Sequence, residues 1–219
     1  MMGTQRVTNA FVLVLAGGIA SGKSTVARML ERHGGWRLDL DALSREVTSA
    51  GTQVVRSIAQ AFGDDVVDAH GELRRAVLAA RAFATPESTQ ELESIVHPAV
   101  LDLLRSRLAS AKAGQVCVVE VPLLDRVERL VAVADEVMCV TCPLEVRRMR
   151  ACERGMDGSD FDARVLRQPS DEYLTSRATY VIVNDGDLGR LQAQVDEWWN
   201  AHELNGWELV NGNEKYAVL

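Results

Sequence analysis

The chain has 219 residues, 47% hydrophobic and 25% charged, with a formal net charge of -7. This length and balance suit one soluble α/β unit with insertions, and the acidic excess argues against a nucleic-acid binder, which carries a basic surplus or stripe. No apolar run approaches the ~18 residues of a membrane span. Met1 to Ala10 is polar and the apolar run after it ends in a glycine-rich loop, so no cleaved signal peptide is expected and the location expected is cytoplasmic.

The first predicted strand is Phe11-Val12-Leu13-Val14-Leu15-Ala16. It runs into Gly17-Gly18-Ile19-Ala20-Ser21-Gly22-Lys23-Ser24-Thr25, which fits glycine, four residues, then Gly-Lys-Ser. A helix-compatible run to Arg32 follows, completing the strand–loop–helix context of a phosphate-binding loop. Backbone N–H groups of such a loop, with the helix N-terminus behind them, attract phosphate oxygens. Lys23 is placed to reach the β- and γ-phosphates and Ser24 to put a hydroxyl on Mg²⁺. A plain glycine-rich turn would not need Lys-Ser in that register. The ligands expected from the loop are therefore a nucleoside triphosphate and Mg²⁺.

Gly34-Gly35 ends the first helix, and Trp36 to Leu40 reads as a second strand. Asp41 stands at its exit, before a helical run from Ala42 to Ser49. It can orient or deprotonate a hydroxyl, or cap the next helix. From Gly51 to Ala113 the pattern is almost wholly helical, with His97-Pro98 expected to kink the last run or to start a new helix.

Val116 to Glu120 is a nearly all-apolar run, a buried parallel strand. Glu120, at its end, can hold Mg²⁺ through water. Glu136 to Thr141 is the fourth strand and Tyr180 to Val183 the fifth, followed by Asn184-Asp185-Gly186 and a helix from Leu188 to Glu203. Cys139-x-x-Cys142 lies in and beside a buried strand with no second cysteine or histidine pair, so buried reduced thiols are expected. Between Pro143 and the last strand, two helices around Gly155 and Gly158 suit a mobile lid that brings Arg154 and Arg164 to a transferring phosphoryl group. Arg147, Arg148 and Arg150 read as surface residues.

The expected fold is thus α/β, a three-layer P-loop kinase architecture with a parallel sheet of about five strands. Its core is 10–41, 114–143 and 178–203; a helical insertion for the acceptor is 42–113; the lid is 144–177; the tail is 204–219. No Asn-Lys-x-Asp guanine motif occurs, which disfavours a GTPase.

With these residues in view, the chain resembles the dephospho-CoA kinase family from about Phe11 to Trp199. The resemblance rests on Ala16 to Thr25, with Ala16 and Ala20 as substitutions; on Asp39-Leu40-Asp41 with Arg45; on Arg75 to Leu78; on Phe83 to Pro86; on His97-Pro98; on Glu120 before Val-Pro-Leu-Leu; and on Asn184-Asp185-Gly186. It implies ATP-dependent phosphorylation of the ribose 3′-hydroxyl of dephospho-CoA, the last step to coenzyme A, with Asp41 as base. Asn184 and Gly186 would line the adenine pocket. Arg45, Arg75, Leu78, Phe83, His97 and Glu120 would serve the substrate side. A monomer without nucleic-acid or membrane partners is expected. Departures from the family pattern are Glu153-Arg154, Leu174 and Thr179. Another small-molecule or nucleoside kinase of this fold, or a nucleotide-binding regulator with weak hydrolysis, are the competing activities.

Overall fold

The structure is a computed structural model that describes residues 9–132 and 134–202. The predicted tail, with Trp207 and Tyr216, lies outside the described residues. The chain divides into two compact units, one of Leu40–Arg107 and one formed by the segments on either side of it.

The larger unit holds a five-stranded parallel sheet: β1 (Phe11–Ala16), β2 (Trp36–Asp39), β3 (Val116–Glu120), β4 (Glu136–Thr141) and β5 (Tyr180–Val183), in the order β2-β3-β1-β4-β5. Every β1 and β3 residue is buried, as near-continuous apolar runs require in a parallel sheet. β1 lies between β3 and β4, so the chain leaves it toward one edge and later returns to build the other. That reversal opens a crevice at the carboxyl ends of β1, β3 and β4, where ligands bind in open α/β sheets.

One face of the sheet is covered by α1 (Lys23–Arg32) and α10 (Leu188–Ala201). Val26, Met29 and Leu30 of α1 pack with Leu191, Val195, Trp198 and Trp199 of α10 and with Phe11, Leu13 and Leu15 of β1 in one core cluster. Trp198 is fully buried and its indole N–H donates to Glu136 Oε2 at 2.9 Å, so the large ring is buried without an orphaned polar atom. α1 stops because Gly34 adopts φ 105°, a left-handed conformation that frees the Gly35 N–H to bond Leu30 O at 3.0 Å.

Between β3 and β4 lies the short α6 (Glu128–Val131), and between β4 and β5 lie α7 (Leu144–Glu153), α8 (Gly158–Val165) and α9 (Asp171–Arg177). The lid segment therefore has three helices where two were expected. Asp157 and Ser170, whose side chains accept from the Ser159 and Tyr173 N–H groups, cap the second and third. Thr179, a departure from the family pattern, ties β5 to β4: its hydroxyl accepts the Val137 N–H at 3.0 Å.

The second unit contains α2 (Leu40–Val47), α3 (Gln53–Phe62), α4 (Arg75–Ala82) and most of α5 (Pro86–Ala109). Its core gathers Ile58, Phe62, Val66, Leu78 and Ala82, with Leu92, Ile95 and Val96 of α5 against them. No new helix begins at His97-Pro98: α5 runs through Pro98 without a break. Both residues are exposed, and Pro98 leaves the Ser94 carbonyl without its helical donor.

Cys117, Cys139 and Cys142 are buried free thiols, as expected for Cys139 and Cys142, while Cys152 is exposed. Burial pushes the Cys117 thiol up to about 12 and that of Cys139 up to about 11, so neither is a nucleophile near neutral pH.

Candidate active site

The phosphate loop occupies the turn from β1 to α1. Its shape depends on glycine at Gly22, which has φ 101° and whose absent Cβ would collide with the Asn184 side-chain amide. α1 begins right after Gly22 with no side chain capping it and no acidic residue in its first turn. An anionic ligand is the complement such a helix start favours. Ser21 Oγ is buried with no hydrogen-bond partner among the described residues, a further polar group facing the interior of the loop region.

Ala20 is the one non-glycine residue at positive φ among those described, at 61°. A Cβ is unfavourable there by about 1 kcal/mol relative to glycine. Ala20→Gly is expected to raise stability by at most ~0.6 kcal/mol, since the added unfolded-state entropy of glycine offsets much of the relief. A urea titration checks this: the midpoint should rise at an unchanged slope.

Lys23 Nζ donates to the Val121 carbonyl at 2.8 Å. Ser24 Oγ donates to Glu120 Oε1 at 2.6 Å. The two groups expected on the magnesium side of the site, 96 residues apart in the chain, therefore touch. A hydroxyl and a carboxylate are the hard oxygen donors that suit Mg²⁺, so these residues fit that ion. Glu120 is buried, and Arg37 on β2 holds its other oxygen, Nε at 2.9 Å and Nη2 at 2.6 Å from Oε2. Burial works against the Arg37 charge, but the hydrogen bonds and charge of Glu120, with Asp39 and Glu31, raise its pKa above the ordinary value.

Asn184, also buried, donates its side-chain amide to Ser21 O at 2.7 Å, so it braces the loop as well as ending β5. Gly186 follows it in the turn before α10. Arg150 donates to Asn184 O at 3.3 Å and to Cys142 Sγ at 3.4 Å.

Arg147 corrects the sequence reading. Expected at the surface, it is buried, its Nη2 donates to Asp171 at 2.9 Å, and its Nη1 fills the space a Cβ on Gly18 would need. The first turn of α7 starts at the end of β4, beside β1, and this turns Arg147 inward. Gln168, between α8 and α9, accepts the Ile19 N–H at 2.7 Å. The lid segment thus touches the loop at Gly18 and at Ile19. Spacing alone does not reveal these contacts; the small residue at Gly18 was the one available sign that something packs there. Arg154 caps the C-terminus of α7 and Arg164 lies in the last turn of α8, both exposed.

In the second unit, Asp41 lies in the first turn of α2, which begins one residue earlier, at Leu40; it is thus inside the helix and not its N-cap. It is exposed, as are Arg45, Arg75 and His97. Arg75 Nη2 reaches Thr48 Oγ1 at 3.5 Å, tying α4 to α2. Leu78 is buried in the core of this unit, whereas Phe83 is 60% exposed.

A parallel sheet with this switch point, and a lysine–serine loop facing a strand-end carboxylate, define a P-loop nucleotide-binding protein. The model of the dephospho-CoA kinase family matches residues 11–189, and the chain belongs to that family. It is 41% identical over 191 residues to a dephospho-CoA kinase of Corynebacterium diphtheriae, covering 86% of this chain and 95% of the relative. It is 40% identical over 187 residues to that of Thermobifida fusca, covering 84% and 92%. Among solved structures, TT1252 from Thermus thermophilus superposes with a TM-score of 0.76 at 30% identity, covering 93% of this chain and 99% of that one. Dephospho-CoA kinase from Campylobacter jejuni shares the fold, with a TM-score of 0.61 at 18% identity, covering 90% and 98%.

Proposed function

We propose that this protein transfers the γ-phosphoryl group of ATP to the ribose 3′-hydroxyl of dephospho-CoA, giving coenzyme A. The observation that carries the reading is the Ser24–Glu120 contact beside Lys23, at the switch point of the sheet, in a chain of this family. Lys23, Ser24 and the backbone from Gly17 to Thr25 hold the triphosphate; Asn184 and Gly186 flank the adenine. Magnesium would be held by the Ser24 hydroxyl and, through water, by Glu120, and it supplies charge neutralisation at the phosphates. Asp41 aligns the acceptor hydroxyl and takes its proton. Arg45, Arg75, Leu78, Phe83 and His97 belong to the acceptor side, with the helices of Leu40–Arg107. Arg154 and Arg164 neutralise charge on the transferring group when the lid closes. Phosphoryl transfer needs this positioning and charge stabilisation more than covalent help from the protein.

No helix of the described residues is long and apolar enough to cross a membrane. We place the enzyme in the cytoplasm, a reading supported by its buried free thiols.

The test is purified protein with ATP, Mg²⁺ and a panel of acceptors, read by product mass. A gain of roughly 80 Da, one phosphoryl group, is expected on dephospho-CoA and not on adenosine or nucleotides. The reverse pattern would assign the chain to another kinase activity.

A further inference from the structure

Arg37 has no part in the activity described so far. It lies on β2, in register with Val118 of β3, and from there its side chain reaches the carboxylate at the β3 end. Both of its short bonds fall on the same oxygen, Glu120 Oε2. The other oxygen, Oε1, receives the Ser24 hydroxyl. Each carboxylate oxygen offers about two acceptor sites. Oε2 is therefore fully used, and Oε1 keeps one site beside the Ser24 hydroxyl. The Ser24 oxygen retains its lone pairs while its proton is spent on Glu120.

We infer that Arg37 is a positioning residue for the metal side of the phosphate site: it locks Glu120 so that the carboxylate acts through the Ser24 hydroxyl and bound water instead of binding the cation directly. This rests on the reading of Ser24 and Glu120 as the magnesium side of an ATP site. The consequence is electrostatic. With Arg37 in place, the buried carboxylate presents little net charge to its surroundings. Without it, a full negative charge stands at the site, repelling a bare triphosphate and attracting a divalent cation.

The experiment is calorimetric titration with AMP-PNP, once with Mg²⁺ and once with EDTA, on wild type and Arg37→Met. The readout is the ratio of the two affinities. Arg37→Met is expected to raise that ratio about tenfold or more, by weakening metal-free binding while sparing or tightening the magnesium complex. If Arg37 merely held β2 against β3, both titrations would weaken together and the ratio would stay put. A ratio within about twofold of wild type in Arg37→Met overturns the inference while leaving the ATP site standing. A wild-type protein that binds no AMP-PNP in either buffer overturns both. Should Arg37→Met not fold, Arg37→Lys carries the same test. A lone ammonium loses the two-bond clamp, and a shift of about threefold in the same direction is expected; no shift overturns the inference.

Discussion

Asp41→Asn is expected to lower kcat with dephospho-CoA by about 10²–10⁴-fold, the range for loss of a positioned general base, while the affinity for ATP stays within about twofold. The amide is nearly isosteric and its oxygen still accepts a hydrogen bond. It cannot take the proton that the ribose hydroxyl loses as the new P–O bond forms. The loss therefore falls on the chemical step and not on substrate binding. Asp41 is exposed in the first turn of α2, where the helix-end contribution of a carboxylate is ~0.3–1 kcal/mol. The variant should fold, and circular dichroism beside the kinetic assay separates the two effects. Turnover near wild type would move the base elsewhere, with Asp39 the neighbouring carboxylate to examine.

Lys23→Ala should weaken ATP binding by about 10–100-fold and lower kcat by about 10²–10³-fold, the latter the range for removing one preorganised donor from a site of developing charge. Two effects combine. The ammonium contributes attraction to the phosphates in the ground state, and more of it as charge shifts in the transition state. Lys23 Nζ also donates to the Val121 carbonyl at 2.8 Å. The substitution also leaves the Val121 carbonyl without this donor, at a cost of ~1–3 kcal/mol if water does not replace it. Calorimetric titration with ATP and with adenosine tests the assignment: the ATP affinity should fall and that of adenosine should hold. Equal losses for both would mean that the loop has collapsed, and unchanged kinetics would remove Lys23 from the phosphate site.

These two residues differ in how their surroundings could be foreseen. The setting of Lys23 is local. An apolar strand, a turn that requires glycine at Gly22 and a helix start all lie within a few residues, and each follows from short-range sterics and hydrogen bonding. The five strands were legible for the same reason: they are short apolar runs bounded by turn formers or polar residues. Glu120 and Asn184 were legible as residues at strand ends, and in a parallel sheet those ends converge on one edge.

What the amino-acid order by itself determined, then, was the set of strands, the phosphate loop and the family to which its motifs point. Only the tertiary structure decided which charged side chains meet. Arg37 and Glu120 are 83 residues apart and meet because β2 pairs with β3 in a particular register. Gln168 and Ile19 are 149 residues apart and meet because the lid segment passes over the loop. Arg147 sits in an arginine-rich run that reads as a solvated face, yet it is buried against Gly18 with Asp171 as its partner. A helix pattern gives the face on which a charge lies. Whether that face meets water or another segment depends on strand order and on how the helices after β4 pack against the loop, and those are properties of the folded chain as a whole.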